Sequence, residues 1–194
     1  TDTGGGGSST SGSADVSPGV AEAKKETDTL LQRPTEIAVT APIDKEIPKG
    51  KKIAVMQCGF PGCIPLGDHV RAAGKALGWD VTTINTGLTP EEVKTGWQKA
   101  VRDNPDGVVS MVYPSSIFKA ELAQLKAKDV PVVDCCTPEG AINGIDLMIN
   151  ALENGKVIGE AMAAYVVGTR GEDVHPVAVD VGGLPIAQTV NVAF

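Results

Sequence analysis

Four cysteines carry the most distinctive chemistry in this 194-residue chain: Cys58 and Cys63 lie five positions apart, and Cys135 and Cys136 are adjacent. On an exported chain such thiols read first as one or two disulfides, tying the segment around Cys58 to the segment around Cys135. A bond from Cys63 to Cys135 or Cys136 would close a loop of roughly 70 residues, worth about 4 kcal/mol in the chain-entropy description. Buried, inert thiols are the second reading, and a metal or reactive-thiolate centre is the third. The spacing does not follow the paired pattern of zinc ligands. A nucleophilic thiolate would need a base, and His69 stands six residues beyond Cys63, on a different face of any helix that starts there.

The other candidate groups are few. His69 and His175 are the only histidines, and Glu91-Glu92 is explained by the first turn of a helix. Asp134 either reaches a ligand or caps the loop that follows it. The run Gly4 to Gly7 has no strand before it and no Lys-Ser/Thr after it, so nothing implies a nucleotide or any other cofactor, and no metal site is expected. Among seven aromatic residues, Trp79 and Trp97 fit core positions. Phe60 and Tyr113 fall in loops, where a ring can stack on a small solute.

The elements that must position these groups follow from hydrophobic periodicity. The segment 51–58 (KKIAVMQC) reads as a buried strand. The segment 64–78 reads as a helix with Leu66, Val70, Ala73 and Leu77 on its inner face and Gly78 as a left-handed stop. A second strand, WDVTTIN, precedes a helix with Thr89 as N-cap, Pro90 at N1 and Glu92 completing a capping box. Val93, Trp97 and Val101 form that helix's inner face. GVVSMVY is the third strand, 115–129 a third helix with Phe118, Leu122 and Leu125 inward, and VPVVDCC the fourth strand. Near-continuous Val/Ile/Met strands alternating with helices predict an α/β fold, a doubly wound parallel sheet. Ligands of such sheets sit beyond the carboxyl ends of the strands, which nominates loops 58–65, 86–88, 114–116 and 135–140.

Composition frames this lobe. Fourteen of the first 20 residues are Gly, Ser or Thr, too polar to offset their ordering entropy, and residues 1–50 are expected to be a flexible tether. The lobe is expected over 51–140, with a crossing segment and the start of a second lobe over 141–194. A short strand in 141–150, a long helix from 151 with a Gly155/Gly159/Ala163 stripe, a buried strand at 175–181 and a final helix from 186 make up that last part. One strand with its helices is too little for a second core, so the natural protein is expected to continue beyond residue 194. The chain opens on Thr without a signal sequence, which fits a processed or truncated N-terminus. Its net charge of −7 and pI near 4.8 argue against a nucleic-acid partner.

Residues 51–194 resemble the type I periplasmic binding proteins of the ribose and galactose branch, the solute receptors of ABC importers. KKIAVMQC, an aromatic and Pro-containing loop, and GDHVRAAGKALGWDV follow that family's order. So do DGVVSMVYPSS, KAKDVPVVDCC, and MINALENGKVIGEAMAAYV at the passage between lobes. The resemblance implies ligand contacts from Gly59, Phe60, Cys63 and Ile64, from Tyr113 and Ser115, and from Cys136 and Thr137, which stand where the family has Asp-Arg. Asn150 and Gln188 complete the implied set, Gln188 occupying the place of an Arg that clamps the ligand, and Asp134 joins the candidate contacts on its own position at the end of a strand. Two strong sugar-binding groups of the family are thus absent.

The resemblance implies a non-enzymatic receptor, outside the cytoplasm and held to the membrane as a lipoprotein. It would act as a monomer with two partners, a small solute and a membrane permease. Two other classes stay open: a cysteine enzyme on a flavodoxin-like lobe, separable by the reactivity of its thiol, and an effector-sensing domain of a regulator.

Overall fold

The computed structural model describes residues 16–37, 39–137, 139, 142–149, 152–177, 188 and 190–192. They fall into two compact units, one made of residues up to Arg33 with Ala161–Pro176, the other of Pro34–Glu160 with Val177 onward.

The first unit contains a helix, α1 (Pro18–Leu30), inside the segment read from composition as tether. Its start follows capping chemistry: the Ser17 hydroxyl accepts the Val20 amide at 3.3 Å and Pro18 occupies the first turn. Against it lies the C-terminal part of α5 (Leu152–Arg170). A close backbone approach occurs at Gly168, outside the Gly155/Gly159/Ala163 stripe, where a Cβ would come within 2.8 Å of the Lys24 backbone nitrogen.

The second unit holds the sheet. Its strands are β1 (Lys52–Gln57), β2 (Asp80–Asn85), β3 (Gly107–Met111), β4 (Val132–Cys135) and β5 (Leu147–Ile149). They run in the order β2-β1-β3-β4-β5, every neighbouring pair parallel. The short strand expected within 141–150 is therefore an edge strand of this sheet. Between the strands lie α2 (Cys63–Leu77), α3 (Pro90–Asp103), a 3₁₀ turn (Ser115–Ile117) and α4 (Lys119–Lys126). The α/β parallel-sheet reading holds.

Side-chain alternation separates the two faces. Ile84 meets α3, where Gly96 approaches within van der Waals distance, while Val81 and Thr83 on the opposite face meet α2. Trp97 of α3 stacks on Phe118 with ring centroids 3.9 Å apart and planes 7° from parallel, so the two rings seal the α3–α4 side of the core. Leu122 and Leu125 are buried beside them. The predicted capping box at Thr89/Glu92 is present, and Gly78 ends α2 at φ +73°.

The inner face of α2 differs from its prediction. Ala73 is exposed, and Gly67 and Gly74 face the sheet instead, because a side chain at either position would overlap Gln57 or Val81. A hydrophobicity pattern ranks glycine low, yet its lack of a Cβ is what lets this helix sit close. Of the buried strand expected at 175–181, His175, Pro176 and Val177 are exposed and outside any strand, and the remainder, with most of the final helix, lies outside the described residues.

Candidate functional site

At the carboxyl ends of β1, β2 and β3 the loops are joined through one carbonyl group. The Gly59 amide donates to the Gly87 carbonyl at 2.8 Å, and the Tyr113 hydroxyl donates to the same oxygen at 2.5 Å. Gly59 is obligatory there, since a Cβ would lie 2.6 Å from that oxygen. Gly87 itself adopts φ +67°. Thr86 adds a second tie, its amide and hydroxyl donating to the Gln57 carbonyl at 2.9 and 3.0 Å.

The first loop is closed covalently: Cys58 and Cys63 form a disulfide with Cα atoms 5.7 Å apart, and the Cys63 amide donates to the Phe60 carbonyl at 2.9 Å. Phe60 stands at the tip of this six-residue ring, half-buried, and Ile64 is 50% exposed at the start of α2. Cys135 and Cys136 are joined to each other. The expected link from Cys63 to Cys135 or Cys136 is thus not formed. Strand order explains why: β3 separates β1 from β4, which puts the two loops about 10 Å apart, beyond the reach of a disulfide.

Two non-glycine residues at this edge hold backbone angles that L-residues avoid. Val112 has φ +77° at the centre of a γ turn, in which the Tyr113 amide donates to the Met111 carbonyl at 2.9 Å, and Cys136 has φ +67°. Both are fixed from outside: the Val112 amide donates to the Cys135 carbonyl at 2.9 Å and the Cys136 amide to the Ile149 carbonyl at 3.0 Å. Strain of this kind persists where surrounding structure over-determines it and clusters at functional edges.

Of the predicted site residues, Phe60, Cys63, Ile64, Tyr113, Ser115, Asp134, Cys136 and Thr137 all sit at or just beneath this edge. They do not share one role. Cys63, Tyr113, Asp134 and Thr137 are buried, at 4%, 6%, 1% and 0% exposure, so in this lobe they support the loops rather than line an open surface. Tyr113 was read as a loop ring facing a ligand; instead its hydroxyl is engaged by Gly87, and burial raises its pKa above the ordinary tyrosine value. Burial is also the largest influence on Asp134 and raises its pKa. The Thr137 and Ser110 hydroxyls and the Cys135 amide lie near enough to favour its charged form, but neither carboxyl oxygen has a hydrogen bond of good geometry.

Ser115 is half-buried, and its amide donates to the Glu139 carboxylate at 2.9 Å, a loop-to-loop tie with no signal in the sequence. Gly87 was missed as well, although a glycine directly after a strand is its signature. Gln188 is exposed in a helical stretch that includes 190–192, and Asn150 lies outside the described residues. All four cysteines are paired, which leaves no free thiol for a nucleophilic mechanism. A cavity of about 390 Å³ opens at the opposite, amino ends of β4 and β5, lined by Lys126, Asp129, Asn143 and Asp146 among others, away from these loops.

Solved structures share this fold. An ABC sugar transporter subunit from Rhodobacter sphaeroides 2.4.1 superposes with a TM-score of 0.62 at 15% identity, over 75% of this chain and 51% of that one. The fold is that of a solute-binding protein lobe. An ABC transporter solute-binding protein from Agrobacterium vitis with bound allitol gives a TM-score of 0.61 at 15% identity, over 75% and 49% of the two chains. A periplasmic ribose ABC transporter protein from Conexibacter woesei DSM 14684 gives 0.53 at 16%, over 77% and 50%. The chain therefore spans about half the length of these structures. No protein-family model matches the sequence, and no curated protein does.

Proposed function

We propose that this chain supplies one lobe of an extracytoplasmic solute receptor serving an ABC importer. The observation that carries the reading is the carboxyl edge of the sheet, where strained, mutually tied loops surround Phe60 on the fold of known solute-binding proteins. Phe60, Ile64, Ser115 and Cys136 are the residues proposed to touch the solute, and a second lobe would close over them. Binding shifts the population toward the closed form by the solute's preference for it, and the closed form is what a permease recognises. No step needs catalysis. The N-terminal segment tethers the receptor at the membrane surface as a lipoprotein, and the receptor acts as a monomer. Among the described residues no helix is long and apolar enough to cross a membrane.

A thermal-shift screen of the full-length gene product against sugars, polyols, amino acids and small aromatic solutes tests this. A solute at about 100 times its dissociation constant stabilises a one-site receptor by about 2.7 kcal/mol, a shift of several degrees. Silence across the whole panel would remove the receptor reading.

A further inference from the structure

The loops at the carboxyl edge offer a solute little hydrogen bonding and no counter-charge. Loops 58–65, 86–88, 112–116 and 135–140 contain no Lys, Arg or His and one acid, Glu139, whose carboxylate already accepts the Ser115 amide. The other polar groups are turned inward. Tyr113 donates to Gly87, Thr86 donates to Gln57, and Asp134 and Thr137 are closed off from solvent. Ser115 and Ser116 are the hydroxyl side chains that keep some exposure.

The accessible surface is of another kind. Phe60 shows part of its ring, Ile64 and Leu88 are 50% and 55% exposed, and the Cys135–Cys136 disulfide is half-buried at the end of β4. Joining two thiols removes both S–H donors and leaves a compact, polarisable, apolar plate. A polyol turned toward this lobe would desolvate several hydroxyls and find only the Ser115 and Ser116 hydroxyls and the Glu139 carboxylate as side-chain partners, and each hydroxyl left unpaired lowers affinity. An anion would meet the Glu139 carboxylate and no basic side chain in these loops.

We infer that the solute is an uncharged ring with an apolar face and few hydroxyls, seated between Phe60 and the Cys135–Cys136 disulfide. The inference rests on the receptor reading above and narrows it to one ligand class.

Isothermal titration calorimetry on the full-length gene product decides it. Three sets of solutes are compared: phenol, cyclohexanol and benzamide; myo-inositol and allitol; benzoate and cyclohexanecarboxylate. The expected result is that a solute of the first set binds at least tenfold tighter than any of the other two. Leu88→Ser, at a 55%-exposed position beside Gly59, and the double variant Cys135→Ser/Cys136→Ser should each weaken that binding severalfold, with circular dichroism confirming the fold. Tightest binding by a polyol or a carboxylate overturns the inference and leaves the receptor reading standing. Binding by the first set that neither variant alters overturns the proposed seat. Absence of binding in every set overturns the inference, while the receptor reading is decided by the broader thermal-shift panel.

Discussion

Phe60 and Asp134 show how the same edge of a sheet uses one residue outward and another inward. Phe60 is held at the tip of a disulfide-closed ring, so its backbone is constrained before a solute arrives, which lowers the ordering cost of binding. Phe60→Ala is expected to weaken solute affinity by tenfold or more while the melting temperature of the solute-free protein moves by only a degree or two; titration calorimetry and a thermal melt check the two halves. Asp134 is the opposite case. Its pKa is raised in the fold, chiefly by burial, so the folded state holds its proton more tightly than the unfolded chain does. Its contribution is fully present below the ordinary aspartate pKa and is lost as pH rises through the raised value. Asp134→Asn, which keeps the shape without the charge, should raise stability at pH 7 and have little effect near pH 3. Melting curves across that range would contradict the assignment if the variant's gain did not grow with pH.

At the scale of elements, the short ties between loops matter more than the helices that flank them. Gly87 is the meeting point of three loops, and the Cys58–Cys63 bond fixes the first of them to the start of α2. Closing a six-residue ring removes about 2 kcal/mol of unfolded-state entropy in the chain-entropy description. Replacement of both cysteines by serine should therefore lower the melting temperature by several degrees in the absence of solute, and a reductant should reproduce the shift in the parent protein but not in the variant. The capping box at the start of α3 is a second local device. Its Glu92 carboxylate accepts the Leu88 and Thr89 amides, which lower its pKa. Thr89→Ala should destabilise the lobe by about 1 kcal/mol, read as a fall in the urea midpoint with an unchanged slope.

For the molecule as a whole, the decisive property is that the edge of this lobe is an open surface lined by half-buried apolar groups. An open surface of that kind binds a small solute weakly until a second body covers it. If solute bridges two lobes, the radius of gyration of the full-length gene product in small-angle scattering should fall on saturation, and Phe60→Ala should need proportionally more solute to reach the same compact form. An unchanged radius at saturation would contradict hinge closure.

Much of this was legible along the chain because strands, helices and caps are local. Alternating β-α periodicity reads off the β-α-β-α-β-α-β order of the lobe, Thr89-Pro90-Glu92 announces a helix start, and Gly78 a helix stop, each within a few residues. Loops 58–65 and 135–140 could be nominated because a parallel sheet puts the carboxyl ends of its strands on one edge. Pairings between loops were not legible, since they depend on which strands are neighbours. The order β2-β1-β3-β4 sets β3 between the two cysteine loops and turns an expected long-range bond into two short ones. The same packing turned Tyr113, Asp134 and Thr137 inward, where pattern and resemblance had placed them toward a ligand. Sequence by itself determined the alternating strands and helices of the lobe and the edge that carries the candidate site; only the tertiary structure decided which side chains that edge exposes, because exposure is a property of neighbours that are distant in the chain.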